Sequence, residues 1–143
     1  MARQKRLTLQ QISDQAEGAC FVAMDFAPKF NPVYDEVIAP AIMNAGLFPI
    51  RSDQVLSAAG NVVEEIVGLI QTVSMVVVDI TGLNPNVLIE LGMAQALRRP
   101  VILLTQDTSV PFDIQPRRVL RYDLSSAGRR RAKSELLSTI QAG

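Results

Sequence analysis

The chain has 143 residues, 48% of them apolar, with fourteen bases balancing fourteen acids, which fits one domain of ordinary size that buries about two-thirds of the surface its unfolded form exposes. A single cysteine, Cys20, and no histidine exclude an internal disulfide, the usual zinc sites, a Ser-His triad and a Cys-His dyad, so acid–base work falls to carboxylates and neither metal nor cofactor is expected. No apolar run exceeds strand length, so neither a membrane span nor a signal-peptide core is implied and a cytoplasmic location is expected.

Residues 1–18, MARQKRLTLQQISDQAEG, are polar and weakly helical and read as an arm or linker ahead of a domain over 19–143. CFVAMDF then predicts a buried strand, and PVYDEVIAPAIMNAG a helix with Val33, Val37, Ala41 and Ala45 on one face. Pro40 removes a backbone donor inside that helix and predicts a kink. LFPIR reads as a second strand and SDQVLSAAG as a loop. In NVVEEIVGLIQTV, Asn61 and Glu64 have capping-box spacing at a helix start.

MVVVDI is β-branched without polar alternation, the pattern of a central parallel strand buried on both faces. After the turn TGLNPN come a helix, VLIELGMAQALRR, a strand, VILLT, a loop, QDTSVPFDIQP, a strand, RRVLRYD, and a last helix near 126–141. Strands alternating with helices imply right-handed crossovers and a flavodoxin-like, doubly wound α/β fold, a five-stranded parallel sheet in the order 2-1-3-4-5. Ligands of such sheets bind beyond the carboxyl ends of the strands where the order reverses, here in the loops after Phe26 and Asp79.

The charges are segregated: residues 7–97 hold ten acids and two bases, and residues 98–143 nine bases and four acids. Solvated helix faces explain this, with Arg98-Arg99 and Arg129-Arg130-Arg131 near helix termini. A nucleic-acid surface is not expected, because the basic runs lack interleaved aromatics.

Asp79 ends the third strand at the expected mouth of the sheet. Asn84 and Asn86 have the chemistry of helix caps, and at the expected mouth both are also expected to bind substrate, with the backbone at Asn86 a candidate position for phosphate. Glu90 lies in VLIELGMAQAL, where Gln95 is the only other polar residue, and a helix apolar nearly all round is a buried one. A buried carboxylate is costly and invites a functional explanation. About a turn and a half into its helix, Glu90 is expected to share a pocket with Asp79, with desolvation raising its pKa and the helix terminus lowering it. Position alone adds Met24, Asp25, Phe26 and Lys29 after the first strand and Asp53 after the second. It also adds Gly60 and Asn61 at a helix start suited to phosphate, and Phe112 as a cover for a base.

The segment from Asp79 to Ala94, DITGLNPNVLIELGMA, together with Phe21–Phe26, resembles the nucleoside 2-deoxyribosyltransferase-like superfamily, in a bacterial variant related to TIR-type NAD-cleaving domains. The resemblance implies that Glu90 is a nucleophile attacking the anomeric carbon of a nucleoside and that Asp79 helps to hold the substrate, a chemistry parallel to retaining glycosidases. It also implies a homo-oligomer. The family's second aspartate is replaced by Asn84, and its Gly-Thr pair by Asn86-Val87. An amide is neither acid nor base, which counts against efficient base-to-base transfer. The expected function is N-glycosidic cleavage, by hydrolysis or glycosyl transfer, of a nucleoside, nucleotide or NAD, with binding without turnover in a signalling or oligomerisation module as the alternative. A phosphoacceptor receiver domain is disfavoured, because only one acid, Asp25, follows the first strand and no lysine follows the fifth.

Overall fold

The computed structural model describes residues 18–54, 62–110 and 119–143. Five strands, β1 (Ala19–Ala23), β2 (Phe48–Arg51), β3 (Met75–Asp79), β4 (Val101–Thr105) and β5 (Val119–Arg121), form one sheet in the order β2-β1-β3-β4-β5. All four pairings are parallel. This is the flavodoxin-like 2-1-3-4-5 sheet expected from the alternation of elements. Pro49 lies within β2, which is tolerated because β2 is an edge strand that needs only one set of ladder bonds.

Strand alternation sorts the core into two layers. Phe21, Val76, Val78 and Leu103 face a layer completed by Ile66, Ile70, Leu91 and Ala94. Those four belong to α2 (Val62–Thr72) and α3 (Pro85–Ala96). Val22, Val77 and Leu104 face the opposite layer, filled by Val33, Val37, Ile42, Ala132 and Leu136. Val76, Val77 and Val78 are all fully buried, as a strand covered on both sides requires.

The first helix, α1, runs through Asn31–Val33, Tyr34–Ile38 and Ala39–Asn44, and its central part is a π-helical turn. There the Ala39 N–H donates to the Tyr34 carbonyl, one residue further back than in an α-helix. The wide turn sits immediately before Pro40, whose nitrogen has no proton to donate, so the expected kink takes the form of a π-bulge. Val33, Val37 and Ala41 are fully buried on the predicted face, and Ala45 packs partly against it. The last helix, α4 (Ser126–Ala142), is capped by Ser125, which accepts from the Gly128 N–H at 2.9 Å.

The arm expected over residues 1–18 lies, as far as residue 17, outside the described residues, as do Gly60, Asn61 and Phe112. Among the described residues no helix is long and apolar enough to cross a membrane.

Candidate functional site

Where β1 and β3 part at the carboxyl edge of the sheet, a small cleft is lined by Met24, Asp25, Phe26, Ser52, Asn84, Asn86, Val87 and Glu90. Its free space is about 60 Å³, against about 10–15 Å³ for a single water, so it accommodates part of a ligand, of the size of a sugar ring. Three chain segments meet here: the loop after β1, the short turn Ser52–Gln54 after β2, and the start of α3. The switch point of the sheet therefore carries the cleft, as the topology demands.

Asn84 organises the entrance. Its backbone (φ −58, ψ 127) is extended, and its side-chain oxygen accepts from the Asn86 N–H at 2.8 Å and the Val87 N–H at 3.4 Å. Pro85, which has no N–H to satisfy, occupies the first helical position. The other end of the Asn84 amide donates to Asp25 Oδ2 at 3.0 Å. One side chain thus starts α3 and ties it to the loop after β1. Asp25 also accepts from the Ala27 N–H at 2.8 Å, and this bond, with that from Asn84, holds its carboxyl below the ordinary value.

Glu90 lies on α3 about a turn and a half beyond that cap and is half-buried. Burial pushes its carboxyl up to about 7, and a hydrogen bond from Ser52 pulls it part of the way back. Two carboxyls of one cleft are therefore driven in opposite directions, Asp25 towards permanent ionisation and Glu90 into the neutral range. Such divergence is the usual mark of groups suited to different chemical roles.

Asp79 does not line this cleft, contrary to the shared pocket expected for it. Val78 faces the α2/α3 layer, so alternation turns Asp79 with Val77 toward the other side. There its Oδ1 accepts from the Thr81 N–H at 3.0 Å and the Thr81 hydroxyl at 2.6 Å. Its Oδ2 accepts from the Tyr122 hydroxyl. The Gln106 N–H in turn donates to the Thr81 oxygen, and the Gln106 amide to the Tyr122 hydroxyl. Asp79 is 2% exposed, and burial raises its carboxyl while the bonds from Thr81 and Tyr122 work against that rise. The result is a satisfied network tying the ends of β3, β4 and β5 together.

Of the other expected residues, Met24, Phe26, Asn84 and Asn86 line the cleft with Glu90. Asp53 does not; both its oxygens are taken by Arg51, at 2.7 Å from Nε and 2.5 Å from Nη2. Arg51 also lies over the rings of Phe26, at 5.4 Å, and Tyr34, at 4.7 Å. The expectation of phosphate at Asn86 meets a helix start whose N–H groups at Asn86 and Val87 Asn84 already caps. Ser52, which follows β2 and reaches Glu90, carries no sequence signal of its own. Among the described residues no group of three or more acids and cysteines is placed to hold a metal ion.

No protein-family model and no curated protein matches the chain. Solved structures do. TIR domains of the activated Roq1 resistosome, which directly recognises the pathogen effector XopQ, align over 89% of this chain and 72% of theirs, at 12% identity and a TM-score of 0.51. A 2-deoxyribosyltransferase from Leishmania mexicana aligns over 63% of this chain at 17% identity and a TM-score of 0.49. The chain spans 65% of the length of that transferase. A putative pilus assembly-related protein from Burkholderia pseudomallei aligns over 87% of this chain and 92% of its own, at 17% identity and a TM-score of 0.49. At these identities the likeness is one of fold.

Proposed function

We propose that the chain cleaves the N-glycosidic bond of a nucleoside, nucleotide or NAD, with Glu90 as the carboxylate nucleophile. The observation that carries this reading is the placement of Glu90: a carboxyl in a sugar-sized cleft at the switch point, held by Ser52 and raised by burial to about 7. Ionised Glu90 attacks the anomeric carbon. The bond to the base breaks and the base leaves with the bonding electrons; a nucleoside or nucleotide base then takes up a proton from water, whereas nicotinamide leaves neutral. A water molecule then attacks the same carbon, losing a proton to solvent, which releases the sugar, sugar phosphate or ADP-ribose and restores the carboxylate. The exposed ring of Phe26 offers a face for the base at the mouth. Asp79 acts at a distance in this reading, by holding the Thr81–Leu83 turn that precedes Asn84.

A second reading, a nucleotide-binding signalling or oligomerisation domain without turnover, is favoured by Asn84. Both ends of its amide are committed to structural bonds, so no acid or base stands at that position. Turnover separates the two. The full chain, incubated with a panel of nucleosides, nucleotides and NAD, releases free base detectable by chromatography if the first reading holds. Saturable binding with no base release from any member selects the second.

A further inference from the structure

Building on the reading of this cleft as a nucleoside-type site, we infer that Asp25 determines its specificity: the carboxylate receives the hydroxyls of an unphosphorylated sugar and disfavours a sugar bearing phosphate. Asp25 is locked in place by the Ala27 N–H on one oxygen and Asn84 on the other. Each oxygen keeps a further lone pair, and two adjacent hydroxyls are the natural donors to such a rigid pair.

Among the described residues around this cleft, the usual phosphate-binding devices are already spent. No lysine or arginine lines it among the described residues. Arg51, the basic side chain nearest in sequence to Ser52, is buried, paired to Asp53 through two bonds and stacked on Phe26 and Tyr34. Lys29 is exposed and lies over the Phe30 ring. The start of α3 has no N–H to offer an anion, because Pro85 has none, Asn84 Oδ1 accepts those of Asn86 and Val87, and the Asn84 carbonyl accepts that of Leu88. A phosphate brought here meets Asp25 and Glu90 with no opposing cation among the described lining residues, and like charges brought together without compensation weaken binding.

The test uses C-nucleosides, whose carbon–carbon glycosidic bond resists this chemistry, so that binding is read without turnover. Pseudouridine, formycin A and their 5′-monophosphates are titrated into the full chain by calorimetry. The monophosphates are expected to bind at least about tenfold more weakly than the free nucleosides. In Asp25→Asn the nucleosides should lose affinity and the gap to the monophosphates should narrow, with thermal melting confirming that the variant is folded. Monophosphates binding as tightly as nucleosides, or a folded Asp25→Asn with an unchanged gap, overturns the role of Asp25 and leaves the cleavage reading intact. Failure of all four probes to bind overturns the role of Asp25, and overturns the cleavage reading with it only if no member of the panel, NAD included, releases base. A reversed preference accompanied by base release from natural nucleotides overturns the role of Asp25 alone.

Discussion

Asp79 and Glu90 stand near the same edge of the sheet and have opposite surroundings. Asp79 is the more deeply buried, yet Thr81 and Tyr122 supply donors to both of its oxygens and Gln106 completes the network. Glu90 is only half-buried and lines the cleft, with a hydrogen bond from Ser52 among the described residues. Depth alone would have pointed to Asp79 as the perturbed, reactive group. Burial raises both carboxyls against the pull of their hydrogen bonds; what separates them is that Thr81 and Tyr122 occupy both oxygens of Asp79, whereas Glu90 lines an open cleft.

The sharpest way to break this comparison is Glu90→Gln, which keeps the shape and removes the charge. Base release should fall by about three orders of magnitude or more, with the fold intact. Full activity in a stable variant would eliminate Glu90 as the nucleophile. Asp79→Ala should do the reverse, leaving the Tyr122 and Thr81 hydroxyls without their acceptor and destabilising the chain by about 2–4 kcal/mol. Denaturant titration measures this, and activity per folded molecule should change little; a stable variant that loses turnover would instead place Asp79 in the chemistry. Tyr122→Phe removes one donor of the same network and should cost less, about 1–2 kcal/mol by the same measurement.

Dependence on pH offers a finer probe. Turnover should rise as Glu90 ionises, with a limb near pH 7. Folding raises this carboxyl from its ordinary 4.5 to about 7, so the protonated form is the one that folding favours. Its contribution to stability is complete below the unfolded value and is lost as the pH climbs through the folded one. Asp79 shifts in the same direction, but the difference between wild type and Glu90→Gln cancels it. Melting temperatures of the two proteins should therefore separate between pH 5 and pH 8 in favour of the glutamine variant; parallel curves would show that burial does not perturb Glu90. The smallest expected effect is that of Ser52→Ala, which removes the bond that lowers Glu90 and should move the limb of the activity profile to higher pH without abolishing turnover.

Much of this architecture is legible one residue at a time. The unbroken apolar run of β3, the periodic face of α1 and the turn chemistry of TGLNPN follow from local sterics and burial, and the alternation of strands and helices then leads to the strand order. The polar Glu90 in an apolar helix marks a functional candidate for the same reason. What local pattern cannot supply is the partner of each polar group. Whether Asp79 meets ligand or Tyr122 depends on the side of the sheet to which its strand position turns it, and Tyr122 lies 43 residues away. Asn84 reads in sequence as a cap, and its amide is that cap, but the bond to Asp25, 59 residues earlier, exists only because β1 and β3 are neighbours. Ser52 reaches Glu90 because β2 flanks β1 at the same edge. The sequence alone determined the elements, their order and the helix that carries Glu90, since these depend on contacts within a few residues. Only the tertiary structure decided which carboxylate is satisfied and which faces the cleft, since hydrogen-bond partners across strands are set by sheet order and face.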